Sequence, residues 1–150
     1  MNNSDFIIYT DGACLGNPGP GGWAAIIFDR KLGRKNKKVG SETLTTNNRM
    51  ELIAVIEALN IIPTGCSILI FTDSKYVING IQSWVSKWKK NNWVGSNKKK
   101  IKNKDLWLSL DRVSSDLKIE WKWVKGHSGN KNNEEVDRLA KLEAEKLNSI

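Results

Sequence analysis

The sequence is poor in cysteine and histidine. Two cysteines in 150 residues, Cys14 and Cys66, cannot build a disulfide scaffold. No CxxC pair or Cys/His cluster offers zinc its ligands. Both thiols are expected to stay reduced and buried. Acids are also in deficit, 16 against 24 Lys and Arg, for a formal net charge of +8. No run approaches the ~20 apolar residues that a membrane-spanning helix needs. The start, Met1-Asn2-Asn3-Ser4-Asp5, lacks the basic and apolar regions of a secretion signal. These absences exclude a secreted disulfide-rich domain, a zinc module and a helical membrane protein. The expectation is a cytoplasmic protein with no membrane partner. What is present, 39% hydrophobic and 27% charged residues over 150, suits one globular domain, 1–150, with a single core. Its excess positive charge favours a polyanionic partner, either nucleic acid or an acidic membrane surface.

The hydrophobic pattern predicts an α/β domain. Phe6-Ile7-Ile8-Tyr9 reads as a buried strand running into a turn at Thr10-Asp11-Gly12. Residues 16–22, with four glycines and two prolines, read as a loop. A second strand follows over 23–28, a basic turn around 30–37 and a third strand near 38–45. Residues 47–61 carry apolar positions at helical spacing on a wide face, which implies burial against a sheet; Pro63 and Gly65 end the helix. Residues 67–71 form a fourth strand, ending again in Thr-Asp, and Asp73 or Ser74 can cap the short helix that follows. Alternation predicts a fifth strand near 118–124, and a last helix covers about 132–147. The order βββαβα…βα implies a mixed sheet whose first three strands are antiparallel.

One segment stands apart. Residues 84–107 hold four of the seven tryptophans, Trp84, Trp88, Trp93 and Trp107. They also hold eight lysines, 87, 89, 90, 98, 99, 100, 102 and 104, against one acid, Asp105. Nearly all the excess charge therefore sits here. Lysines neutralise phosphates, and indoles offer flat faces to sugars and bases. A solvated helix pair braced by its tryptophans is the plainer alternative, and the i,i+4 spacing of Trp84 and Trp88 suits it. A membrane-binding face is disfavoured because no long apolar stripe accompanies the charge.

Four acids draw notice. Asp11 and Asp73 each follow Thr at the end of an apolar strand, so neighbouring strands would bring them together. Individually, Asp11-Gly12 is also a common turn dipeptide and Asp73 a plausible helix cap. Glu51 lies in a largely apolar helix, where a carboxylate needs a cation or strong donors. Asp137 has Lys141 four residues on, an ordinary helix ion pair. His127, the only histidine, sits in Gly126-His127-Ser128-Gly129 and is either solvated or a proton carrier near neutral pH. Were the four acids to converge, each pair at ~4 Å would cost ~4 kcal/mol at an effective dielectric of ~20. Two divalent cations would cancel that charge, and oxygen-only ligands select Mg²⁺ or Mn²⁺. Such ions activate water for phosphodiester hydrolysis.

At these residues the chain resembles the bacterial ribonuclease HI family, the type 1 ribonucleases H. Residues 9–22, YTDGACLGNPGPGG, resemble the family's first-strand motif; residues 45–52, TTNNRMEL, its first-helix motif; and residues 72–77, TDSKYV, its fourth-strand motif. Residues 102–107, KNKDLW, match the end of its basic protrusion. Residues 123–130, WVKGHSGN, followed by Asn133-Glu134 and Asp137-Arg138-Leu139-Ala140, resemble its C-terminal site. The resemblance implies a ribonuclease H-like fold, a five-stranded mixed sheet flanked by helices, with a basic helical protrusion over about 84–107. It implies a monomeric endonuclease that hydrolyses the RNA strand of RNA–DNA hybrids by metal-activated water, leaving 5′-phosphate and 3′-hydroxyl ends. Asp11, Glu51, Asp73 and Asp137 would be the metal-binding catalytic acids, holding Mg²⁺, with Mn²⁺ as substitute and two ions once substrate is bound. His127 would assist proton transfer or product release.

By the same resemblance, Cys14, Asn17, Asn47 and Asn48 line the minor groove and sense RNA 2′-hydroxyls, in keeping with the general way proteins tell RNA from DNA. Thr46 would contact a DNA phosphate, and Trp84, Trp88, Lys89, Lys90 and Trp107 belong to the protrusion. Lys75 stands where the family carries a glutamine that contacts the hybrid, so that contact would be ionic here. Ser128 replaces a common alanine. No additional hybrid-binding domain or reverse-transcriptase region is expected, which implies a free-standing enzyme of modest processivity. Two other classes fit parts of the pattern: a catalytically silent hybrid-binding module, and a DNA-directed nuclease of the same fold.

Overall fold

The computed structural model describes residues 3–95, 99–126 and 129–148. Five strands, β1 (Phe6–Cys14), β2 (Gly19–Asp29), β3 (Arg34–Thr45), β4 (Ser67–Thr72) and β5 (Lys118–Trp123), form one sheet in the order β3-β2-β1-β4-β5. β1, β2 and β3 are antiparallel through short turns, whereas β4 and β5 run parallel to β1. The parallel pairing requires a crossover, and α1 (Asn47–Asn60) makes it between β3 and β4. After β4 come α2 (Lys75–Asn79), a π-helical turn (Gly80–Trp84), α3 (Val85–Lys90) and α4 (Lys104–Ser114); α5 (Lys131–Asn148) follows β5.

Strand alternation divides the core between the two faces. Ile8, Ala25, Ile27, Ile68 and Ile70 pack with Leu52, Val55 and Leu59 of α1 and with Trp107 and Leu110 of α4. Tyr9, Ala24 and Ile26 pack against Val136 and Ala140 of α5. Each fully buried Ile or Leu contributes ~1.5–3 kcal/mol over its exposed state, so the sheet is the common wall of two cores.

The structure corrects the expected boundaries at the glycine-rich run. β1 does not turn at Asp11-Gly12 but continues to Cys14, and β2 already begins at Gly19. These glycines serve close approach rather than a turn. A Cβ on Gly12 would come 2.5 Å from the Glu51 backbone nitrogen, and one on Gly22 would come 2.6 Å from that of Ala144. Helix α1 thus seats on one side of the sheet and α5 on the other where no side chain intervenes. Half of the basic stretch around 30–37 is strand too, since β3 starts at Arg34. Lys35 and Lys37, two residues apart on one face, both reach Glu135 of α5, at 3.0 and 2.7 Å. Those two lysines hold the Glu135 carboxyl below its usual range.

The tryptophans of the basic segment brace it. Trp107 is fully buried and donates from Nε1 to the Tyr76 hydroxyl at 3.1 Å. Trp84 and Trp88 pack edge-to-face around it, with ring centroids 6.2 and 5.7 Å from that of Trp107, and Trp88 also meets Trp93 at 6.0 Å. Trp107 therefore offers no surface to a duplex, and its expected place among the substrate contacts becomes that of an internal support.

Seating α1 on Gly12 is the joint of this architecture. Gly12→Ala is expected to cost ~2–3 kcal/mol by overpacking and to displace the Glu51 end of α1. Urea unfolding checks it; an unchanged midpoint would show that α1 does not need the bare backbone.

Candidate active site

The register carries the acids to one place. Thr10 of β1 pairs with Thr72 of parallel β4, so Asp11 and Asp73 emerge side by side. Ser74 caps α2, its Oγ accepting from the Val77 N–H at 3.2 Å, which leaves the Asp73 carboxylate free of that duty. Thr46 caps α1, its Oγ1 accepting from the Arg49 N–H at 3.3 Å, and Glu51 lies just beyond the first turn. Ligand oxygens of Asp11, Glu51 and Asp73 all lie within 4.8 Å of one another. Asp137 of α5 lines the same cleft and acts on the Asp11 carboxyl. Its Oδ2 pairs with Lys141 Nζ at 3.0 Å, so the expected helix ion pair forms as well.

These carboxylates are poorly solvated and poorly paired. Asp11 and Glu51 are 3% and 4% exposed. Asp11 Oδ1 accepts from the Gly12 N–H at 2.9 Å, but Asp11 Oδ2 and Glu51 Oε1 are buried without a hydrogen-bond partner among the described residues. Burial, then the charge of Asp73 and the contact with Asp137, pushes the Asp11 carboxyl up to about 8. Burial, followed by Asp11 and Asp73, pushes Glu51 well above the ordinary carboxylate range. Orphaned buried oxygens of this kind are costly. An all-oxygen donor set with unmet negative charge is what a hard divalent cation takes, so these residues fit such an ion.

The other predicted residues ring the same cleft, where Cys14, Asn47, Asn48 and Lys75 line its wall beside the four acids. The Cys14 thiol donates to the carbonyls of Gly19 (3.4 Å) and Thr45 (3.3 Å), and burial raises its pKa. Exposed Asn17 accepts from the Asn47 N–H at 3.0 Å, tying the β1–β2 turn to the start of α1. Trp84, Trp88 and Lys90 lie further off, around a separate hollow of the protrusion, and Lys89 pairs with Asp111 at 3.2 Å. His127 lies outside the described residues.

Three features had no sequence signal. Arg49 forks onto Asp105, at 3.0 and 2.8 Å, and onto Asn103 at 3.2 Å, latching the protrusion to α1. The Arg49 charge in turn holds the Asp105 carboxyl below its usual value. A Cβ on Gly126 would lie 3.0 Å from Asp73 Oδ2, so the Gly126 backbone passes close to the carboxylate. Trp123 Nε1 donates to the Asp73 carbonyl at 3.0 Å. Each depends on partners 50 to 56 residues away, beyond the range of any local pattern.

A family model described as RNase H matches residues 3–145. The chain belongs to the RNase H family. A Ribonuclease H from Wolbachia pipientis wMel is 54% identical over 141 residues, covering 94% of this chain and 96% of its own. Among solved structures, LC9-RNase H1, a type 1 RNase H with the type 2 active-site motif, is 31% identical with a TM-score of 0.85, covering 98% of this chain and 75% of that one. LC11-RNase H1, solved in complex with RNA/DNA hybrid, shares the fold at 22% identity and a TM-score of 0.68, covering 94% of this chain and 97% of that one. The five-stranded mixed sheet with its flanking helices is the RNase H fold, and the carboxylate cluster lies at the C-terminal end of its β4.

The raised Asp11 pKa fixes the sign of a pH effect in this RNase H. Without metal, the folded protein keeps the Asp11 proton to about pH 8, whereas an ordinary carboxyl releases it near 3.8. Stability present at low pH is therefore lost as pH rises across that interval. Asp11→Asn should raise metal-free stability at pH 7 by roughly 2 kcal/mol. Urea unfolding in chelator at pH 5, 7 and 9 tests this; equal stability of both proteins at all three values would refute the cluster's electrostatics.

Proposed function

We propose that this RNase H cuts the RNA strand of an RNA–DNA hybrid endonucleolytically, leaving 5′-phosphate and 3′-hydroxyl ends. The observation that carries the reading is the gathering of Asp11, Glu51 and Asp73 within 4.8 Å, with two buried oxygens unpartnered, at the floor of an open cleft. Asp11, Glu51, Asp73 and Asp137 would hold Mg²⁺, or Mn²⁺ in its place, with two ions when substrate is bound. Such ions supply a Lewis acid that lowers the pKa of water and neutralises a leaving oxygen.

The protein's own groups orient the substrate. Asn47 and Asn48 at the start of α1, with Cys14 and Asn17 beside them, offer donors and acceptors to 2′-hydroxyls. Thr46 lies at the positive end of α1, where a DNA-strand phosphate is favoured. Trp84, Trp88, Lys89 and Lys90 give the hybrid's backbone a charged, aromatic wall, with Trp107 behind it, and Lys75 meets the strand at the rim. His127, which precedes α5 in the sequence, would carry a proton to or from the reacting phosphate. The hybrid bound to LC11-RNase H1 supports the same substrate here. We extend the reading to a cytoplasmic monomer acting as one domain: Cys14 and Cys66 are free thiols, as a reducing compartment implies. Among the described residues, no helix is long and apolar enough to cross a membrane.

Cleavage of an end-labelled hybrid with Mg²⁺, beside matched DNA and RNA duplexes, tests the reading. We expect cuts in the RNA of the hybrid alone. Binding without cleavage would make the protein a hybrid-binding module, and cutting of duplex DNA would make it a DNA-directed nuclease. Asp11→Asn should abolish cleavage with hybrid binding retained. His127→Ala should lower kcat by about 10²-fold, and full turnover in that variant would remove the histidine from the mechanism.

A further inference from the structure

Asp73 stands in the two-residue link between β4 and α2, outside the hydrogen-bond ladder of either element. Its carbonyl instead accepts from Trp123 Nε1 at 3.0 Å. Trp123 is the last residue of β5, paired in register with Thr72, and the next residue, Val124, donates its N–H to the Thr72 carbonyl at 2.9 Å. The same indole carries Lys75 on its face, with Nζ 5.0 Å from the ring centroid. Asp73 and Lys75, two positions apart, thus both engage one indole, the first through its carbonyl and the second through its ammonium. Trp123 is nonetheless 43% exposed on an edge strand, so core packing does not account for it.

We propose that Trp123 is a positioning residue for Asp73. The indole N–H sets the height of the Asp73 backbone and hence the aim of its carboxylate toward Asp11 and Glu51. The Lys75 ammonium, attracted to the ring face, restrains the indole from the solvent side. A half-angstrom error at a ligand-bearing backbone is enough to weaken metal binding, which is why supporting hydrogen bonds matter nearly as much as ligands. The inference rests on reading Asp73 as a metal ligand.

Two variants separate the parts of the device. Trp123→Phe removes the N–H and keeps a ring face for Lys75, whereas Trp123→Leu removes both. The readouts are calorimetric titration with Mn²⁺ alone, thermal unfolding of the metal-free protein and steady-state cleavage of a hybrid. Trp123→Phe should weaken Mn²⁺ binding about tenfold and lower kcat by a similar factor. KM for the hybrid should stay within about twofold, and the metal-free Tm within a few degrees, because the side chain lies at a solvent edge. Trp123→Leu should match or exceed these losses. Mn²⁺ affinity and kcat both within about twofold of the parent in the two variants would overturn the proposal. So would a raised KM at unchanged kcat, which would make Trp123 a substrate contact, or a metal-binding loss matched by a collapse in Tm, which would make it a structural residue. If Trp123→Phe weakens Mn²⁺ binding but neither protein cuts hybrid, the positioning role stands and the nuclease reading fails.

Discussion

Mutual repulsion among Asp11, Glu51 and Asp73 is the constraint around which this molecule is arranged. Their oxygens lie within 4.8 Å of one another, and Asp11 and Glu51 are almost cut off from water. Packing among the described residues relieves little of this. There, the one backbone donor to the cluster is the Gly12 N–H, and Lys141 neutralises Asp137 rather than the buried pair. Folding therefore stores unfavourable electrostatics at the site, supported by hydrophobic burial on both sheet faces. A strained, under-neutralised constellation held by a rigid frame is a common mark of sites that bind a charge from solution.

The frame earns its precision from a few close contacts. Glycine at 12 and 22 lets α1 and α5 press on the sheet backbone from opposite sides. That approach brings Glu51 and Asp137 to the end of the strands that carry Asp11 and precede Asp73. Parallel pairing of β1 with β4 does the rest, since Thr10 and Thr72 are partners in register and Asp11 and Asp73 follow them side by side. The site is thus a consequence of strand register and helix seating.

Charge and aromatic mass are divided in the basic segment. Trp107 is internal, and Trp84 and Trp88 pack edge-to-face against it, so much of the indole surface stabilises the segment itself. The exposed lysines are left for solvent and for anions. The Arg49 fork onto Asp105 and Asn103 joins this segment to the helix bearing Glu51. A duplex lying across both would meet surfaces whose spacing is already set, which lowers the ordering cost of binding.

Much of this was legible in the chain itself. Hydrophobic periodicity marked α1, β4, β5 and α5 to within a few residues, because one face of each must leave water. Thr-Asp at two strand ends, an acid inside an apolar helix and lysines crowded into residues 84–107 all exposed the chemistry. The glycine-rich run misled local reading: Gly12, Gly19, Gly21 and Gly22 look like turn formers, yet they lie in strands. Trp107 stood among indoles that could either meet a duplex or brace the segment, and it is internal. Composition and pattern determined which residue types exist, which faces are apolar and where charge accumulates. Tertiary structure alone decided that a glycine is a seat for a helix, that Trp123 holds Asp73 and that Arg49 reaches Asp105. Those outcomes depend on atoms brought within ~3 Å of each other from distant parts of the chain, and hydrogen bonds and steric exclusion act only at that range.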